Sequence, residues 1–327
     1  MMRLVGVELN RLRWRRAILV LLVTALVIPM VMLLGYAWST RPLSEGDIAD
    51  AKQMAAQEGR QPYIVDEIAR CESDPEQFGD PDMDAADCKA MITPTYENFL
   101  YRQTLELEAL RTDVGAASIT ILSGLVMLIG TTFAGHDWNT GSMSNQLLFE
   151  PRRLRMWLSK ALAVMAASAV AGAGLLALFW GGAALIASSR DITGPPGFWV
   201  DVIETQARGV LAIALSGLLG YALTMLFRST VATLSLMFGV ALAGSLIILA
   251  IFGETATRWL LPTNFLAFVL NGVEYYDPSA CSSGGGFMDS QGCERHVSML
   301  DGGVYLAVVL AVAVALSMWS MQRRDVP

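Results

Sequence analysis

The stretch AILVLLVTALVIPMVMLLGYAW, residues 17–38, decides the fold, because its twenty-two consecutive residues carry no charged side chain. An α-helix needs about 20 apolar residues to cross the hydrocarbon layer of a bilayer. Five further runs of this kind follow, at residues 114–134, 161–187, 207–227, 231–253 and 304–320. Lipid offers no hydrogen-bond partner to an unpaired peptide group. The sequence therefore predicts an all-α membrane protein of six transmembrane helices in a single domain, residues 1–327.

The N-terminal segment, residues 1–16, precedes the first run and contains RLRWRR. Such a charged head is also typical of a secretory signal, but the apolar region of a signal spans about 7–15 residues and this run is longer. We therefore expect the first span to be retained. Leu4, Val5, Leu9 and Leu12 fall roughly on one helical face, which predicts an amphipathic helix along the inner membrane surface.

The charges of the connecting segments predict the orientation. With the N-terminus inside, the inner segments hold twelve Lys and Arg against four Asp and Glu, and the outer segments, together with Arg208 at the outer end of the fourth span, hold eleven against twenty-six. Basic residues concentrate on the cytoplasmic side of membrane proteins. We therefore expect both termini in the cytoplasm and outer loops at residues 39–113 and 254–303. The eight tryptophans lie near predicted span ends, where we expect interfacial anchors.

The four cysteines all fall in the two predicted outer loops, two in each. Local pairing would join Cys71 to Cys88 and Cys281 to Cys293, one of three connectivities open to four cysteines in an oxidising compartment. The alternative for the second loop is a metal site that also uses His296. In the first loop, Asp80, Asp82, Asp84 and Asp87 resemble a calcium-binding loop without its usual glycine and final glutamate, so a solvated acidic surface is preferred.

The second outer loop also contains a short apolar stretch, residues 259–270. It is too short to span and holds Pro262 and Asn264, which predicts a re-entrant or interfacial helix between spans 5 and 6.

The sequence lacks the residues that several classes of function require. No G-x-x-x-x-G-K-[ST] loop for nucleotide phosphates is present in the sequence. The predicted spans hold Arg208 as their one ionisable residue, at an outer end, so no coupling group for a proton- or sodium-driven transporter is apparent. Small residues at 165–174, 217–220 and 239–244 permit close helix packing, either within the bundle or at a dimer interface.

The inner segment at residues 135–160 then becomes the main functional lead. It is similar to the inner segment of type-2 ABC transporter permeases, in which an acid, Gly-Ser/Thr, Leu-Leu, Pro-x-Arg and Lys follow one another. This chain has Asp137, Gly141 and Ser142, Leu147 and Leu148, then Pro151, Arg152 and Arg153, and finally Lys160. The family more often has glutamate where Asp137 stands.

This resemblance implies a permease subunit of an ATP-binding cassette transporter. It would pair with a second permease subunit, as a homodimer or heterodimer, and with a separate ATPase subunit that binds ATP and magnesium. The chain itself would then be no enzyme and hold no cofactor or metal, and no nucleic acid is expected. The coupling residues would be Asp137, Gly141, Ser142, Pro151, Arg152, Arg153 and Lys160.

The resemblance further implies export of a hydrophobic or amphipathic substrate across the bacterial cytoplasmic membrane. Two alternatives stay open. The inner arginines are also explained by orientation and by contact with anionic membrane lipids. The acidic outer loop is also consistent with a membrane scaffold or signal-transmitting protein that binds an extracellular partner.

Overall fold

The computed structural model describes residues 2–74, 78, 85–100, 104–281 and 293–324. Within these residues, six helices are long and apolar enough to cross a membrane, which indicates a multi-pass membrane protein. We number them spans 1 to 6: Arg16–Ser39, Leu107–Asn139, Arg153–Ser189, Phe198–Phe227, Thr230–Phe252 and Met299–Arg323. The predicted six-helix membrane class is confirmed.

Spans 2 and 3 are longer than the apolar runs that predict them. They have 33 and 37 residues, or about 50 and 55 Å at 1.5 Å per residue, whereas the hydrocarbon layer is about 30 Å thick. Half of the predicted inner segment at 135–160 is therefore made of span ends, since residues 135–139 end span 2 and residues 153–160 begin span 3. Asp137 lies in the last turn of span 2, and Lys160 lies two turns into span 3.

Spans 2 and 4 pack most closely through glycines. A methyl group added at Gly130 would overlap the carbonyl oxygen of Gly217, and one added at Gly220 would overlap that of Met127. Such contacts let two helix backbones approach each other. The small residues at 217–220 thus serve packing within one chain.

Span 5 differs from spans 2 and 4 in its exposure. No residue from Val240 to Phe252 is buried, and nothing lies within 4 Å of a methyl group added at Gly239. A π-helical turn, Val240–Gly244, interrupts its α-helix. Methyl groups added at Gly239 and Gly244 would meet no other helix among the described residues of the chain.

The N-terminal helix, Met2–Arg13, packs against span 3. Its apolar face is confirmed, since Leu12 is buried and Val5 and Leu9 are half-buried against the core. This face is thus directed at the bundle rather than at lipid alone.

Residues Gly35–Glu106 form a separate compact unit between spans 1 and 2. Its helices are Glu45–Glu58, Pro62–Ser73 and Ala85–Ile92, followed by a 3-10 turn, Tyr96–Phe99. Ser44 caps the first helix: its Oγ accepts from the backbone N–H of Asp47, whose carboxylate accepts from the backbone N–H of Ser44 at 2.8 Å. Of the calcium alternative, Asp87 lies in the helix Ala85–Ile92, while Asp80, Asp82 and Asp84 lie outside the described residues.

Both predicted local disulfides are confirmed. Cys71 is bonded to Cys88, with both residues buried, and Cys281 is bonded to Cys293. The metal alternative at Cys281, Cys293 and His296 needs two free thiolates. Those two thiols are joined to each other, so this set of ligands is not available.

The segment between spans 5 and 6 is more ordered than the sequence predicts. A 3-10 turn, Glu254–Trp259, leads into the short helix Leu261–Leu270, and strands Val273–Tyr276 and Glu294–Val297 pair antiparallel. Pro262 lies in the first turn of the helix and does not break it, because the first turn needs no backbone donor. Asn264 donates to the carbonyl oxygens of Arg258 and Leu260, both at 2.8 Å. The short helix is confirmed, whereas the strand pair was not predicted.

Candidate functional site

Lys160 and Asp137 form a buried ion pair that joins spans 2 and 3. Lys160 Nζ donates to Asp137 Oδ2 at 2.6 Å, and the two side chains are 1% and 2% exposed. An unpaired charge at such depth is strongly unfavourable. Each residue therefore requires the other, and in this conformation neither belongs to an exposed surface.

Glu8 adds the N-terminal helix to this pair. Its Oε2 accepts from Lys160 Nζ at 3.1 Å, and Glu8 is itself buried. Glu8 stands one helical turn from both Leu4 and Leu12, so an acid lies in the middle of the apolar face of this helix. The N-terminal helix is thereby joined to span 3 by charge as well as by apolar packing.

Two arginines complete the group. Arg15 donates to Asp137 Oδ1 and to the carbonyl oxygen of Phe133, both at 2.8 Å. Arg11 lies 3.4 Å from Glu8 and 3.5 Å from Asp137 and is one-third exposed, which places it at the rim. We call Glu8, Arg11, Arg15, Asp137 and Lys160 the ion cluster. Its three cations and two anions give it a formal charge of +1.

A phenyl ring accompanies two of the cations. The buried Phe133 ring lies 4.8 Å from Arg15 Cζ and 5.2 Å from Lys160 Nζ. Cation–π attraction is strongest where water is excluded. The ring therefore stabilises the excess positive charge without adding a further acid.

Trp157 fixes the start of span 3 beside the ion cluster. Its indole Nε1 donates to Ser317 of span 6 at 3.0 Å, and its carbonyl oxygen accepts from the Tyr221 hydroxyl of span 4 at 3.1 Å. Trp157 is only 2% exposed. The prediction of an interfacial anchor is wrong for this tryptophan, which ties three spans together.

A short helix, Ser142–Phe149, connects spans 2 and 3, and we call it the connecting helix. Gly141 precedes it with φ of 66°, a left-handed conformation that glycine adopts without strain. Ser142 Oγ accepts from Arg11 at 3.0 Å and from Gln146 at 2.8 Å. The first turn of the connecting helix is therefore fastened to the ion cluster.

The other end of the connecting helix presents apolar side chains. Leu148 is 81% exposed and Phe149 is 91% exposed. Pro151 and Arg152 follow and are also exposed. A phenyl ring and a neighbouring leucine that are exposed on the segment between two spans are typical of an interaction site.

Arg153 has a different environment from its neighbour Arg152. Its guanidinium donates to the carbonyl oxygens of Arg324 and Met321 at 2.9 and 3.3 Å, and Arg228 donates to that of Arg324 at 3.2 Å. Cations favour the C-terminal end of a helix. These contacts bring the 2–3 connection, the 4–5 turn and the end of span 6 to one end of the bundle, which we call the cluster end.

The structure divides the seven predicted coupling residues into groups. Asp137 and Lys160 are paired inside the ion cluster, and Gly141 and Ser142 lie directly beside it. Pro151 and Arg152 are exposed beyond the connecting helix, while Arg153 caps span 6. Glu8, Arg11 and Arg15 of the cluster were missed, although an acid on an otherwise apolar helical face was a signal for Glu8.

No family model, curated protein or solved structure matches the chain. The resemblance to type-2 ABC permeases therefore rests on the residues of the inner segment and on the predicted arrangement of spans.

The ion cluster has the properties of a mechanical junction. Its five charged groups satisfy one another across the N-terminal helix, the start of span 1, span 2 and span 3. Fully satisfied polar networks in a low dielectric are rigid, and removing one member lowers their stability strongly. Movement of the connecting helix is thus linked through Ser142 and Arg11 to several helices at once.

Proposed function

We propose that this chain is the membrane-spanning permease subunit of an ATP-binding cassette transporter, with ATP hydrolysed by a separate subunit docked at the cluster end. The observation that carries the proposal is the connecting helix, which is anchored at one end and apolar and open at the other. Leu148 and Phe149 supply the apolar contact. The exposed Arg152 supplies a cationic contact beside it.

The ion cluster gives this docking site a route to the spans. A push on the connecting helix reaches Ser142, then Arg11, and then the buried acids Glu8 and Asp137. Because those acids are held by Lys160 of span 3, the push is delivered to spans 2 and 3 as well as to the N-terminal helix. This sequence of contacts is suited to a subunit that receives force but does not generate it.

Span 5 supports a second permease subunit. Gly239 and Gly244 stand at the two ends of a π-helical turn, whose wider winding brings residues five apart toward one face. Small residues on an exposed face let a second helix approach closely in lipid. A paired subunit would cover this face, and export of a hydrophobic or amphipathic cargo would occur between the two.

The side of the membrane that the cluster end faces is assigned from the distribution of basic residues. The cluster end carries the basic inner segments, so we assign it to the cytoplasm of a bacterial cell. The disulfide-bonded segments are then outside, where oxidation of cysteines is favoured.

The experiment is co-purification of the ATPase from native membranes. We expect Leu148→Asp combined with Phe149→Asp to abolish ATPase association and transport, because both apolar contacts are lost and two acids are added. Asp137 is a poor first target, since its reversal would disrupt a buried network. The matched control is Tyr63→Asp with Val65→Asp, which changes two exposed apolar side chains of the unit between spans 1 and 2.

Retention of the ATPase by the Leu148 and Phe149 double variant would refute the docking assignment. Loss of the ATPase in the control as well would point to general damage. Formation of both disulfides and an unchanged unfolding temperature verify that each variant has folded.

A scaffold or signal-transmitting role is the second candidate, favoured by the compact unit at Gly35–Glu106. The Tyr36 hydroxyl donates to the carbonyl oxygen of Glu106 at 3.2 Å, so the two ends of this unit lie side by side. A short Gly-Ser linker can therefore replace residues 41–103. Transport that survives this replacement supports the permease, whereas loss of all function with intact assembly supports the scaffold.

A further inference from the structure

A lateral groove lies between spans 1 and 3. It has a volume of about 410 Å³ and is lined by apolar residues of both helices, including Leu19, Val23 and Leu26 of span 1. Small-molecule sites have volumes of about 300–1,000 Å³. The groove is therefore large enough for part of a ligand and suited to hydrocarbon.

Glycine and alanine keep the span 3 side of the groove open. Gly174 lines it, and nothing lies within 4 Å of a methyl group added there. Val170 and Leu178 stand one turn to either side and are well exposed. The groove is thus an indentation flanked by larger apolar side chains.

Arg16 lies at the end of the groove nearest the N-terminal helix. It precedes Leu19 by three residues and Val23 by seven, so it falls close to their helical face. Arg15 is directed into the ion cluster, but Arg16 is exposed and makes no side-chain ion pair with any of the residues described. A cation is therefore available where the groove reaches the membrane surface.

We propose that this groove binds one phospholipid with an anionic headgroup, its acyl chain lying between spans 1 and 3 and its phosphate at Arg16. Charge complementarity favours this occupant, because anionic lipids are attracted to basic residues at the membrane surface.

The length of the groove agrees with a single leaflet. At 1.5 Å per residue, Leu19 lies about 5 Å and Leu26 about 15 Å along the helix from Arg16. Half of the hydrocarbon layer is also about 15 Å. An acyl chain whose headgroup is held by Arg16 therefore extends along the whole groove. Lipid binding in this groove requires membrane insertion but no ATPase partner, so it is independent of the proposed function.

The test uses the full-length protein in nanodiscs of phosphatidylglycerol and phosphatidylcholine with identical chains, mixed in equal amounts. Native mass spectrometry then counts the phospholipids retained by the released protein. Gly174→Leu fills the groove, and Gly181→Leu is its matched control, since Gly181 is on the same helix, also faces open space and does not line the groove. Arg16→Gln removes the headgroup cation, with the exposed Arg3→Gln as control.

We expect the unaltered protein to retain one phosphatidylglycerol in preference to phosphatidylcholine. Gly174→Leu should remove most retained lipid of both kinds, and Arg16→Gln should lower the preference about fivefold. Either control should behave as the unaltered protein. Equal lipid retention by Gly174→Leu and Gly181→Leu would overturn the groove, and an unchanged preference in Arg16→Gln would overturn the headgroup assignment.

Discussion

Lys160 holds the ion cluster together, because its single ammonium contacts Asp137 and Glu8 and faces the Phe133 ring. We expect Lys160→Met to lower the free energy of unfolding by about 3–5 kcal/mol, the usual effect of breaking a buried ion pair by removing one partner. Thermal or denaturant unfolding in detergent measures this loss. The exposed Lys89→Met should have little effect.

The pairing itself is tested by a double variant. Glu8→Leu in addition to Lys160→Met removes a buried acid together with its cation, so the combined loss should be smaller than the sum of the two single losses. Strictly additive losses would mean that Glu8 and Lys160 do not stabilise each other.

Gly130 permits the closest approach of spans 2 and 4. We expect Gly130→Ala to lower the free energy of unfolding by about 1–3 kcal/mol, because its methyl group meets the backbone of Gly217, which cannot rotate away. Gly124→Ala is the matched control in the same helix, since nothing lies within 4 Å of its added methyl group. A similar stability for the two variants would show that spans 2 and 4 adjust freely.

The sequence predicted many of these residues but not their neighbours. Asp137 and Lys160 were singled out by the resemblance of the inner segment to type-2 ABC permeases, yet their direct contact depends on how spans 2 and 3 pack, which neither the motif nor periodicity specifies. Trp157 shows the same limit. An indole near a span end usually marks the interface, but here contacts from spans 4 and 6 bury it.

Among the helices, existence was easier to predict than extent. Apolar runs identify the part of each helix within lipid, but helices continue wherever backbone hydrogen bonds can, so span 3 begins at Arg153 and not at the first apolar residue. The strands Val273–Tyr276 and Glu294–Val297 were missed because each has only four residues and pairs across a disulfide loop.

The strand pair between spans 5 and 6 should depend on pH through Asp277. A hydrogen bond from the Ser279 hydroxyl at 2.7 Å, helped by the Ser279 backbone N–H and by Arg295, holds the pKa of Asp277 below its ordinary value. Since the folded pKa is lowered, this carboxylate stabilises the folded segment above about pH 4, and that stability is lost as the pH falls through the folded pKa.

Ser279→Ala removes the largest cause of this lowering, so the loss should be smaller and should be complete at a higher pH. Hydrogen-exchange protection of Val273–Tyr276, followed from neutral pH to pH 3, measures the shift. Ser298→Ala, which alters the cap of span 6 instead, should leave the pH dependence of these strands unchanged. An identical pH dependence in Ser279→Ala would show that the Ser279 hydrogen bond to Asp277 does not set the pH dependence of these strands.

Over the whole chain, the contacts of the cluster end place several distant segments on one side. Lys160 contacts the N-terminal helix through Glu8, and Arg153 contacts the end of span 6. If all six spans cross the membrane, two spans separate the N-terminal helix from Lys160, and four separate Arg153 from the end of span 6. Both numbers are even, so the partners in each contact lie on the same side of the membrane. The contacts do not say which compartment this side faces, whereas the excess of basic residues favours the cytoplasm.

Single cysteines at two exposed positions test this orientation. Asn145→Cys lies on the connecting helix at the cluster end, and Ser189→Cys lies at the opposite end of span 3. Because the four native cysteines are joined in disulfides, a membrane-impermeant maleimide should label only the added thiol. We expect labelling of Ser189→Cys in intact cells and of Asn145→Cys only after the membrane is permeabilised. The reverse result would place the connecting helix outside, where no ATP-hydrolysing subunit could dock, and would overturn the proposed function together with the orientation.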